Sequence, residues 1–240
     1  GMPLGAWLGL RYGWRWPVGL VGGCALAAAL ALLALLPRKI TAPGASFVGL
    51  TRLLIQPAVA AALVLTLLYF TAIFTVFSYI GPVLQALTPL SPEAMSFTLM
   101  VFGLAGVTGT LSGGWANDRF GGQRTMPVQL GLLALMMVLV PLTQGHYLAV
   151  VAVFFTWGVA GFGMMAPQQS RLAMLAPAQT PTLLSLYSSM LYFGTAAGAA
   201  LGGATAGSVG FERLAWVAVP FAIAGLMLLV AGPRPATTHG

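Results

Sequence analysis

Long apolar runs, broken at intervals by short stretches of Pro, Gly and charged residues, fill the chain from end to end. None of them alternates apolar and polar residues with period two, so the pattern is not that of a membrane β-barrel. A hydrocarbon core about 30 Å thick takes about 20 helical residues to cross. Seven runs approach that length: Trp16–Leu36, Pro57–Ile80, Ala94–Gly114, Thr125–Thr143, Tyr147–Ala166, Leu183–Gly207 and Leu214–Val230. In lipid every backbone N–H and C=O must find its partner within the segment, so each run is predicted to be a helix. The opening stretch GMPLGAWLGL, Gly1–Leu10, is apolar but only half a membrane long, without a basic n-region or a cleavage site, and is therefore not a signal peptide. The expectation is that it ends a helix whose beginning lies outside the chain, which makes the chain a fragment.

Composition narrows the class. Of 240 residues 59% are hydrophobic and 5% charged, against roughly a quarter charged in a soluble domain; a soluble surface cannot be built from that supply. The acids are Glu93, Asp118 and Glu212, and the formal charge is +7. The bases stand singly or in pairs between apolar runs, which argues against nucleic acid as a partner and makes them topology signals in a lipid bilayer. Alternating loops put Arg38, Lys39, Arg52, Arg119, Arg124, Arg171 and Arg234 on one side and Arg11, Arg15 and Arg213 on the other, so the first side is predicted to be cytoplasmic. The longest connection, residues 37–56, then reads as a cytoplasmic linker. It follows the end of one half (residues 1–36) and precedes a six-span bundle (residues 57–232) with a cytoplasmic tail (residues 233–240). Cys24 has no second cysteine to pair with, and neither His146 nor His239 stands near a nucleophile or second ligand, so no metal, cofactor or catalytic centre is predicted.

Within the bundle, helical spacing sets Phe70, Phe74 and Phe77 on one stripe, with Thr71, Thr75 and Ser78 on the adjacent one. Ser185, Ser188, Tyr192 and Thr195 share a face of a later span, and Phe154 and Trp157 add aromatic rings on another. Such hydroxyls and rings are candidates to line a cavity for a weakly polar or amphiphilic small molecule. Gly194, Gly198 and Gly202 recur every four residues, the spacing that lets membrane helices approach closely. Pro82, after Gly81, is expected to break its helix near the end.

The segment GGWANDRFGGQR, Gly113 to Arg124, joins two spans. Its glycines suit a tight turn, and an Asp at a membrane edge can cap a neighbouring helix N-terminus while pairing with Arg, a contact suited to a gate. The segment resembles the G-x-x-x-D-R-x-G signature of the major facilitator superfamily, with Gly114, Asp118, Arg119 and Gly121 in register and Arg124 at the following base. GMPLGAWLG with GWRW, VFSYIGPVL, APQQSRLAMLAP and SLYSSMLYFGTAAGAALGG are similar to the fifth and sixth, seventh, tenth and eleventh helices of its multidrug and sugar-efflux branch. The resemblance implies an all-α membrane fold, here the carboxy-terminal six-helix bundle with the preceding one and a half helices. It further implies alternating access, efflux of a small-molecule substrate in exchange for protons, a missing amino-terminal six-helix half, and a bacterial inner membrane. An intramembrane enzyme is not expected, since all acids and histidines fall at span ends, in loops or in the tail. A non-transporting subunit or split-transporter partner is the alternative reading.

Overall fold

In the computed structural model the described residues are 13, 15–35, 51 and 53–232. The readings placed on residues 1–12, 14, 36–50, 52 and 233–240 lie outside them. The chain divides between residues 46 and 47 into two units. In the first, α1 (Arg15–Leu35) is 21 residues long with a mean hydropathy of 2.4, enough to cross a membrane.

The described part of the second unit is built of helices. It comprises α2 (Pro57–Phe77), α3 (Ile80–Leu87), α4 (Pro92–Phe120), α5 (Gly122–Leu139), α6 (Tyr147–Gly163), α7 (Met165–Leu175), α8 (Thr180–Val209) and α9 (Leu214–Ala231), with short 3-10 turns at Val140–Thr143, Pro177–Gln179 and Phe211–Arg213. Among the described residues six helices, α1 included, are long and apolar enough to span a bilayer. α8 is the longest, at 30 residues, but its Gly, Ser and Thr content keeps it outside that set. Together α2, α4, α5, α6 with α7, α8 and α9 build a bundle of six membrane helices.

Most spans differ from their sequence reading by a few residues at the ends, and the α4–α5 junction differs most. α4 runs on past Gly114 to Phe120, and α5 begins at Gly122 instead of Thr125. The signature segment is therefore helical on both sides of a one-residue turn at Gly121, whose φ of 77° favours glycine. At the opposite end of the bundle Gly145 and Gly210 turn the chain with φ of 79° and 80°.

Two helices break, and each break has a proline behind it. Pro82 is the third residue of α3 and Pro167 the third of α7. A proline has no N–H for the carbonyl four residues back, and its ring crowds that carbonyl. Ser78 and Gly163 carry those carbonyls, and the helices give way beside them, at Ser78–Tyr79 and at Met164. The expected break at Pro82 thus falls one turn earlier than the proline itself. α2 breaks toward the Gly145 end of the bundle and α6 toward the Gly121 end.

Packing repeats the same inversion. α2 packs chiefly on α8 and α9, and α6 on α4 and α5. Gly194, Gly198 and Gly202 of α8 are buried against the α2 backbone: a Cβ at Gly198 would lie 2.6 Å from the Thr71 carbonyl oxygen and 2.8 Å from the Thr75 nitrogen. In α4, Gly109 and Gly113 meet α6 in the same way, a Cβ at Gly109 lying 2.5 Å from the Val159 oxygen. Between lipid-facing helices, where no hydrophobic effect drives association, such backbone contact is a main source of cohesion. The bundle is two three-helix units, α2–α4–α5 and α6–α8–α9, each lending its first helix to the other's glycine stripe.

Candidate functional site

α2 and α6 have almost no backbone contact with each other, although both are central to the bundle, and α7 is the piece that reaches α2. The space between them is a cleft of about 170 Å³. Phe70, Ile73, Phe74 and Phe77 of α2 line one wall, Trp157, Gly158, Gly161 and Phe162 of α6 the other, and Phe102, Met165 and Leu191 come from α4, α7 and α8. The rings touch in a series: Phe74 to Phe77 at 5.2 Å between centroids, Phe77 to Phe102 at 5.8 Å, Phe102 to Trp157 at 5.2 Å. Edge-to-face and offset contacts at such distances are favourable and hold the walls stiff.

One end of the cleft is tied shut by polar groups. Tyr69, buried, donates its hydroxyl to the Gly161 carbonyl. That carbonyl lies beside the Met164 break and keeps only a long 3.4 Å bond from the Met164 N–H in its own helix, so the tyrosine supplies a partner the helix does not. One turn further on, Gln168 of α7 is 2% exposed and donates from Nε2 to the Ala62 carbonyl (2.7 Å) and the Thr66 hydroxyl (2.9 Å) of α2. Its Oε1 is covered and has no hydrogen-bond partner among the described residues.

The two stripes read from the sequence separate here. Phe70, Phe74, Phe77 and Trp157 are at the cleft, and Phe154 is buried behind Trp157 with ring centroids 5.5 Å apart. The hydroxyl residues are not at it. Thr71 and Thr75 are buried against the α8 glycines and bond back to the Leu67 and Thr71 carbonyls at 2.8 and 2.7 Å. Ser78 is exposed at the α2 break. Ser185 and Ser188 are exposed and bond to the carbonyls of Pro181 and Leu184, each at 3.0 Å. Tyr192 is exposed, and the Thr195 hydroxyl is covered without a partner among the described residues. The wall of the cleft is consequently wholly apolar.

At the α4–α5 turn, Asp118 and Arg124 are exposed and Gly114 faces open space. The Arg119 guanidinium lies over the rings of Trp115 (5.7 Å) and Phe120 (5.8 Å). The capping and Arg pairing anticipated for Asp118 are not made with any described residue. Sequence reasoning missed Tyr69, Gln168, Phe102, Phe162, Met165 and Leu191. The one signal for the tied end was Pro167 shortly after Gly163, which marks a break and hence a carbonyl in need of a donor.

Comparison with known proteins bears on what such a bundle belongs to. The chain is 26% identical over 240 aligned positions to the uncharacterized MFS-type transporter YbcL of Bacillus subtilis (strain 168), an alignment covering 98% of this chain and 62% of that protein. It therefore spans less than two thirds of the length of this curated relative. Residues 1–198 match the family model of the Major Facilitator Superfamily, and the chain belongs to that superfamily, a family of membrane carriers and not of enzymes.

Proposed function

We propose that this chain is the carboxy-terminal part of a carrier that exports a small molecule across a bacterial inner membrane by alternating access, in exchange for protons, together with an amino-terminal six-helix half. The observation that carries the reading is the cleft: two inversely broken helices, α2 and α6, stand apart around an aromatic-walled space tied at one end by Tyr69 and Gln168. With the base-rich side as cytoplasmic, the tied end is the cytoplasmic one. The likeness of residues 57–232 to the seventh through twelfth helices of the multidrug and sugar-efflux branch supports the placement and the direction. The span of 62% of the relative's length fits a part of a longer carrier.

Everted membrane vesicles energised by respiration and containing the complete carrier test this. Addition of a transported solute should release stored protons, read as recovery of acridine orange fluorescence. 1-Naphthylamine, neutral and two-ringed, is a suitable first solute because its own fluorescence reports its movement. Uptake of the probe that survives collapse of the proton gradient would overturn the coupling; equal probe movement in vesicles with and without the carrier would overturn the transport reading.

A further inference from the structure

Resting on the reading of the cleft as part of the solute site, we infer that the surface this bundle contributes takes an uncharged, apolar molecule of one or two rings, and that cations of the same shape find no site on this bundle alone. Every lining residue is aromatic, aliphatic, Met or Gly. Only two of them carry a polar hydrogen, and neither presents it to the space. The Tyr69 hydroxyl is committed to Gly161, and the Trp157 indole N–H is covered. The hydroxyls that might have served a polar solute bond to their own helices.

A cage of aromatic faces invites the opposite reading, since ring faces attract ammonium groups. The surroundings decide against it. A cation entering the cleft gives up its hydration inside a membrane, and ring faces alone return only part of that cost. A counter-charge is needed. The chain has three acids: Glu93 in the first turn of α4, Asp118 in its last, and Glu212 in the 3-10 turn before α9, all at the ends of the bundle and none at the cleft wall. A neutral ligand forfeits nothing there and gains contact with the rings. The volume of about 170 Å³ limits it to a molecule on the order of tert-butylbenzene or naphthalene in size.

An isosteric pair separates the two: 1-bromo-4-tert-butylbenzene and (4-bromophenyl)trimethylammonium have the same shape and heavy atom and differ in charge. With the chain in phosphatidylcholine vesicles, bromine quenching of tryptophan fluorescence is measured against the amount of each probe partitioned into the bilayer. We expect the neutral probe to quench a saturable component that is lost in Trp157→Phe and weakened at least tenfold in Leu191→Phe, which narrows the cleft. The cation should give no saturable component over a tenfold higher range. Circular dichroism of both variants checks that they remain helical. Should either unfold, competition by unbrominated tert-butylbenzene against the neutral probe in the native chain reads the same site. Saturable quenching by the cation at equal or lower concentration overturns the inference while leaving the cleft as a ligand site. Quenching by both probes that stays linear and indifferent to the competitor overturns the cleft as a site, whatever the vesicle transport assay shows.

Discussion

Tyr69 of α2 and Gly161 of α6 are joined by a buried hydroxyl-to-carbonyl hydrogen bond across helices whose backbones otherwise hardly meet. Removing that hydroxyl leaves a buried carbonyl with one long bond, at a cost of about 1–3 kcal/mol. Tyr69→Phe is therefore expected to lower the thermal unfolding midpoint of the chain in detergent. Gln168→Leu behaves differently. The Ala62 carbonyl retains the Thr66 hydroxyl at 3.0 Å, and the substitution also removes the unpartnered Oε1. Taking out an unsatisfied acceptor together with its donor is near neutral, so the midpoint should move less than in Tyr69→Phe. A larger loss in Gln168→Leu would mean that the amide, not the phenol, holds the tied end.

Gly198 is fully enclosed by the α2 backbone, and a Cβ there meets the Thr71 oxygen at 2.6 Å with no flexible side chain to give way. Gly198→Ala should force α2 and α8 apart and cut the yield of folded protein severalfold, while Gly103→Ala, where nothing lies within 4 Å, should leave it unchanged. The check is membrane abundance and monodispersity of the two variants side by side.

The elements were largely legible in the sequence, because a membrane span is specified by length and hydropathy and both can be read in one dimension. Ends were less so. Hydropathy falls at Gly114, but the α4 backbone stays helical through Asp118 and Arg119 because nothing there breaks it before Gly121. The cleft was half legible. Spacing put Phe70, Phe74 and Phe77 on one stripe, and they do face one space. Spacing could not say which of two adjacent stripes faces that space and which faces α8. The glycines at 194, 198 and 202 decided it, since they draw the Thr71–Thr75 side of α2 against α8. Tyr69 and Gln168 act through carbonyls freed by helix breaks, and those partnerships exist only in three dimensions.

Orientation can be tested with two fusions. A reporter active in the cytoplasm should be on when placed after Gly240 and off when inserted between Thr88 and Ser91, the extended stretch that follows α3. The asymmetry of bases is the reason for this assignment. The reverse result would turn the bundle over and place the tied end of the cleft outside.

Asp118, in the last turn of α4, is exposed and free of described partners, so on the function proposed above its carboxylate is left for a helix N-terminus of the amino-terminal half. Such a charged cap is worth on the order of 1–2 kcal/mol, enough to shift a two-state equilibrium about tenfold. In the complete carrier Asp118→Asn should reduce transport several times more than it reduces abundance. Unchanged transport at equal abundance would leave the α4–α5 turn as an anchor only.

Proton coupling is the remaining question, and the positions of the titratable side chains bear on it. A proton-driven carrier needs a group within the membrane that is exposed to each side in turn, usually a carboxylate whose pKa burial has raised. The bundle offers none at mid-span: Glu93 opens α4, Asp118 closes it, His146 precedes α6 and Glu212 precedes α9. The buried tyrosine at the cleft, Tyr69, is a poor substitute, because its hydroxyl proton is committed to the Gly161 carbonyl. The group that carries the proton should then lie in the amino-terminal half. The present chain, reconstituted alone in liposomes under an imposed pH gradient, is expected to accumulate no solute in a gradient-dependent way, and its binding of neutral aromatic probes should be flat between pH 5.5 and pH 8.5. Gradient-driven uptake by residues 1–240, abolished by Glu93→Gln or Glu212→Gln, would place the coupling group in this bundle and at its edge.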